Sequence, residues 1–192
     1  MERTDRASLA TFFAADEPLH HGAILSLGPS VVRHLRALRQ GPGHTVRLTD
    51  GSGRQAIGTV VRLSHETVSI QISDVEQVAP LPPIHLLVPI GDRERMLWLA
   101  EKVTELGVTT WRPVLWRHSK SVRPRGEGPT FALKARARMI SALEQSRGAY
   151  LPLAHPEAPP ERAVAAVPEG QRIVLDPAGA PLLSQTVEAP VT

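Results

Sequence analysis

The stretch "IHLLVPIGDRERMLWLAEKVTELGVTTWRPVL", residues 84–115, decides how the second half of this chain folds. "IHLLVPI" (84–90) is a short apolar run of the kind that forms a buried strand. In "RERMLWLAEKVTEL" (93–106), Met96, Leu99, Val103 and Leu106 recur at helical spacing. Gly107 stops that helix, and "VTTWRPVL" supplies the next strand. Strand, helix, strand in that order predicts an α/β layer with parallel pairing.

Working outward, residues 130–147 predict a second helix, with Phe131, Ala135, Met139 and Leu143 on one face. A Pro-rich acidic connection (152–160) follows, then a short helix near 160–167 and a strand "RIVLD" (172–176). Upstream, "APLPP" (79–83) reads as a linker, since three prolines in five residues continue neither helix nor sheet. Before it, "VVRHLRALRQ" (31–40) reads as an amphipathic helix with a basic side, stopped by "GPG". Two β-rich runs flank "DGSG" (50–53) as a hairpin, and "TVSIQISDVEQV" (67–78) alternates as another strand. The expectation is a small antiparallel barrel over residues 1–79, a linker at 80–83 and an α/β domain over 84–192.

Composition narrows the chemistry. There is no cysteine among 192 residues, which excludes disulfides, thiolate catalysis and cysteine-bound zinc and fits a reducing cytoplasm. No apolar run has membrane-spanning length, and "LATFFAA" is too short and too acidic at its start for a signal peptide. No GxGxxG, P-loop, GxSxG or HExxH pattern is present. Charge is uneven: residues 31–65 carry a net +5 and residues 110–150 a net +7, separated by acidic stretches. Two basic islands point to a polyanion partner, because phosphate contacts dominate nucleic-acid affinity; a genome that favours arginine would give the same count.

The polar candidates cluster around the predicted helix ends. Lys102 and Glu105 share a helix side, as a surface ion pair or as the rim of a site. Arg112, Arg117, Lys120, Arg123 and Arg125 follow a strand end, where α/β proteins place ligands; a solvated loop would look the same. "EQSRG" (144–148) closes a helix with Gln145 and Arg147, although an arginine there also suits the helix dipole.

Taken together and in order, these segments resemble the RsmE-type 16S ribosomal RNA uracil-N3 methyltransferases of the SPOUT class. The resemblance is carried by His34, "ALR" (37–39), Gly43 and "DGSG" (50–53), then by "KVTELGV" (102–108) with Pro113. Arg117-His118-Ser119, Glu144-Gln145-Ser146-Arg147 and "VLDP" (174–177) complete it. One departure is local: the family's glycine before the arginine falls after it here, at Gly148.

The resemblance implies a PUA-like RNA-binding barrel followed by a SPOUT, trefoil-knot methyltransferase domain that binds S-adenosyl-L-methionine and forms a homodimer. The implied reaction methylates N3 of one uridine in 16S ribosomal RNA or the small ribosomal subunit, in the cytoplasm. Glu105, Arg117, Gln145 and Arg147 take the catalytic positions. Leu175, Asp176 and Pro177 would border the cofactor, and Arg36, Arg39, Lys102, Arg112, Lys120 and Arg123 would contact RNA. In the family a glycine-rich loop and a final helix complete the knot, the adenosine pocket and the dimer face. The chain stops at Thr192 before them, so the expectation is a domain truncated at its C-terminus and inactive alone. Other readings are a non-catalytic RNA-binding module or a SPOUT enzyme for another RNA.

Overall fold

The computed structural model describes residues 9–14, 18–116 and 128–181, with nothing stated for the side chains of residues 128 and 129. The chain forms two compact units: Met1–Ala79 together with Leu143–Tyr150, and Pro80–Ala142 together with Leu151–Thr192.

The first unit is built on a five-stranded sheet. Its strands are β1 (Thr11–Phe13), β2 (Ile24–Leu27), β3 (Thr45–Thr49), β4 (Arg54–Leu63) and β5 (Val68–Gln77), in the order β1-β3-β4-β5-β2. Alternation makes the core: Val46, Leu48, Val60, Val68, Ile70 and Ile72 are at most 1% exposed, while their sequence neighbours, the buried Thr49 apart, face outward or lie half-buried. Gly58 lets β4 and β5 close up, since a Cβ there would press on Ile70 at 2.6 Å and on the Gln71 carbonyl at 3.0 Å. Helix α1 (Pro29–Ala37) lays Val32 and Leu35 on this core.

Two features differ from the sequence expectation. "TFF" within "LATFFAA" is strand β1, and it pairs parallel to β3. The sheet is therefore mixed, and its hydrogen-bonded order runs between two edges, β1 and β2.

In the second unit β6 (His85–Pro89), β7 (Thr110–Val114) and β8 (Leu153–Ala154) pair in parallel in that order. The predicted α/β crossover is present: α2 (Arg93–Glu105) links β6 to β7. Trp111, 2% exposed, packs with Met96, Ala100 and Val103 of α2 and with Ala135 and Met139 of α3 (Gly128–Ser146). Val114 and Leu87 pack with Ala158 and with Ala163 of α4 (Pro160–Ala165).

The third strand is not where periodicity put it. β8 lies in the segment read as a connection, whereas 172–176 forms no strand, and Val174 and Leu175 are 88% and 83% exposed. "RIVLD" has strand composition, but composition alone supplies no partner, and strand formation depends on one. No helix among the described residues is long and apolar enough to cross a membrane.

Candidate functional site

Three helices end in the same way. After α2, Gly107 takes a left-handed backbone (φ 71°), its N–H bonds the Thr104 carbonyl, and the Val108 N–H bonds the Val103 carbonyl. This double closure satisfies carbonyls the helix leaves open. α1 closes identically through Arg39 (φ 56°), with Arg39 N–H on Arg36 and Gln40 N–H on Leu35. α3 does so through Arg147 (φ 59°), with Arg147 N–H on Glu144 and Gly148 N–H on Leu143. The displaced glycine of "SRG" has its own reason, because a Cβ at Gly148 would press on Leu143 Cδ1 at 2.7 Å.

The turn carrying Arg147 is seated on the "DGSG" hairpin of the first unit. Asp50 Oδ1 accepts from Ser52 N–H (2.7 Å) and Arg54 N–H (3.0 Å), which fixes the turn. Gly53 N–H donates to the Ala149 carbonyl at 2.9 Å, and Ser52 bridges to Tyr150. The Gln55 side chain, 6% exposed, donates through Nε2 to the Arg147 carbonyl at 2.9 Å. The Tyr150 hydroxyl donates to the Val78 carbonyl at 2.7 Å. Glu144 completes the seat by accepting the Phe13 N–H at 2.9 Å. Burial pushes its carboxyl above the ordinary carboxylate range, while the Phe13 hydrogen bond and His34 pull it back. Gln145 and Arg147 are exposed there. Gln55 and Tyr150 carry no sequence signal for this role, since their partners lie 92 and 72 residues away.

Of the other basic candidates in this unit, Arg36 donates to the Ser64 carbonyl at 3.0 Å and Arg39 is exposed. In the second unit Lys102 bridges two carboxylates, Glu101 at 2.9 Å and Glu105 at 2.8 Å, and Arg138 approaches Glu101 at 3.5 Å. The Glu105 and Glu101 carboxylates hold the Lys102 ammonium above its usual range, and Lys102 draws Glu101 below its own. Thr104 turns inward and donates to the Ala100 carbonyl at 2.8 Å. "KVTEL" therefore combines a surface ion network with a buried threonine.

Arg112 lies on β7 and donates to the Pro156 carbonyl at 2.9 Å; nearby His85 shares a 2.8 Å hydrogen bond with Thr110. Burial, then Arg112 and His85, hold His155 below the usual imidazole range. Leu175, Asp176 and Pro177 sit in an exposed turn in which Asp176 accepts from Ala178 N–H (2.8 Å) and Gly179 N–H (2.9 Å). Arg117, Lys120 and Arg123 lie outside the described residues. Among the described residues no group of three His, Asp or Glu could hold a metal ion.

Comparison with known proteins adds the following. No curated protein matches the chain in sequence. In structure it is similar to a ribosomal RNA small subunit methyltransferase E from Neisseria gonorrhoeae bound to S-adenosyl methionine. That match has 26% identity and a TM-score of 0.77 over 95% of this chain and 78% of the other. A "probable rRNA-methyltransferase" from Porphyromonas gingivalis matches at 26% identity and TM-score 0.76, over 95% and 77% of the two chains. A Legionella pneumophila protein with "bound cofactor SAM" shares the fold at 22% identity and TM-score 0.77, over 95% and 77%. The pattern that defines the RNA methyltransferase domain matches residues 78–191, more than half the length, and the chain belongs to that family, in its RsmE-type branch.

Proposed function

We propose that this chain is an S-adenosylmethionine-dependent ribosomal RNA methyltransferase whose target atom is N3 of a uridine in 16S RNA of the small subunit. The observation that carries the reading is the RNA methyltransferase match over residues 78–191. The Neisseria relative, bound to S-adenosyl methionine, supports the cofactor.

The residues present suit one edge of such a cofactor. Leu175 offers an exposed apolar face, and the Asp176–Gly179 turn keeps its backbone at the surface. Leu175, Asp176 and Pro177 would border the cofactor there. When bound, the sulfonium supplies an already activated methyl group, which leaves positioning and proton removal to the protein.

Uracil N3 is nucleophilic only after losing its proton, and the negative charge then spreads to O2 and O4, where guanidinium donors stabilise it. Arg147 and Arg117 contact those oxygens or an RNA phosphate, Gln145 positions the base, and Glu105 anchors the helix end through Lys102. Arg36, Arg39, Lys102, Arg112, Lys120 and Arg123 contact the RNA backbone. Cytoplasmic placement and a homodimer belong to the same reading.

The test is transfer of labelled methyl from S-adenosylmethionine to unmodified 16S RNA by the chain joined to the family's glycine-rich loop and final helix, with the product nucleoside identified after digestion. Label in 3-methyluridine is the expected result. Label in another nucleoside or another RNA overturns the N3 or 16S assignment. A second reading, a non-catalytic RNA-binding module, draws on the unpaired segment 172–176. RNA binding with neither cofactor binding nor methyl transfer would select it.

A further inference from the structure

α1, α2 and α3 share one terminal geometry, yet only α2 fills the left-handed position with glycine. Arg39 and Arg147 are the two non-glycine residues with positive φ among the described residues. A side chain in that region crowds Cβ against the backbone, so arginine is a costly choice where glycine is free. Both arginines are exposed, and among the described residues neither guanidinium makes a hydrogen bond or ion pair. The strain is thus not offset by any side-chain hydrogen bond or ion pair within those residues.

At Arg147 a second device acts on the backbone. The buried Gln55 amide on β4 is directed at the Arg147 carbonyl, and Gly53 N–H holds Ala149 two residues on. A buried amide that donates to a distant carbonyl restrains that peptide plane.

We propose that Gln55 is a positioning residue, which locks the Arg147 peptide in its left-handed conformation so that the side chain leaves the backbone in one fixed direction, toward an RNA phosphate. The inference rests on the ribosomal RNA reading above and deepens it by naming what orders one contact. A fixed backbone matters because a turn that had to order on binding would lower affinity.

The test is a double-mutant cycle on the full chain with Gln55→Met, Arg147→Gly and the double variant, using unmodified 16S RNA transcribed in vitro. Affinity, its salt slope and thermal unfolding are measured for each. Arg147→Gly should weaken RNA binding about tenfold, lower the salt slope by about one and raise Tm by about 2 °C. Gln55→Met should weaken binding several-fold when Arg147 is present and have no further effect when it is absent. Equal losses from Gln55→Met in both backgrounds, or unchanged affinity and slope in Arg147→Gly, would overturn the proposal. Absence of salt-dependent RNA binding by the native chain would overturn the functional reading and this role with it. If Gln55→Met loses its cooperative transition, Gln55→Glu, which keeps the length and loses the donor, replaces it in the same cycle.

Discussion

Glu144 shows how one residue reads differently in sequence and in space. In the chain it is the first letter of "EQSRG"; in the structure it is a half-buried carboxylate capping the Phe13 N–H. Burial raises its folded pKa above the ordinary 4.5, so the folded state binds its proton more readily than the unfolded chain. Its contribution to stability is then fully present below pH 4.5 and is lost as pH rises through the folded pKa. Glu144→Gln keeps the acceptor and removes the charge. We expect the variant to be more stable than the native chain at pH 7, with the difference vanishing at pH 4, by urea unfolding at both. The opposite order at pH 7 would show that the Phe13 hydrogen bond to the charged carboxylate, with His34, outweighs burial. Gly53 is equally decisive. Its φ is 102°, and a Cβ would collide with the Tyr150 hydroxyl and the Gln77 amide. Gly53→Ala should cost about 2 kcal/mol or more, measured as a lower urea midpoint with unchanged slope.

At the scale of elements, α2 was legible almost whole. Its apolar spacing and the Gly107 stop are local signals, although Leu106, read as part of the apolar face, is 72% exposed at the helix end; the structure adds an Asp92 cap whose side chain accepts the Arg95 N–H at 3.0 Å. Asp92→Ala should cost about 1 kcal/mol in thermal or urea unfolding. Lys102→Ala, by contrast, removes one arm of a solvent-screened network and should change stability by no more than about 1 kcal/mol in the same measurement. β8 and the segment 172–176 went the other way. β8 has only two residues, too few for periodicity, and it forms because the Leu153 and His155 N–H groups meet the Thr109 and Trp111 carbonyls. "RIVLD" has the right residues and finds no ladder. Because Leu175 is 83% exposed, Leu175→Ala should leave unfolding within about 0.5 kcal/mol of native while weakening S-adenosylmethionine binding in calorimetry.

For the whole molecule, the sequence alone determined the α/β character of residues 84–115, the β-rich first half, the lack of cysteine chemistry, the two basic islands and the family. Each follows from a local signal: spacing of apolar side chains, turn residues or motifs within a few positions. Tertiary structure decided what those signals join. It returned Leu143–Tyr150 to the first unit and seated that turn on a hairpin about ninety residues earlier. It also brought Arg138 to Glu101, and gave Arg39 and Arg147 a backbone that glycine would take more easily. The physical reason is range. Secondary structure and motif chemistry act over one or two helical turns, whereas a buried glutamine bonding a distant carbonyl exists only after the chain has brought two remote segments together.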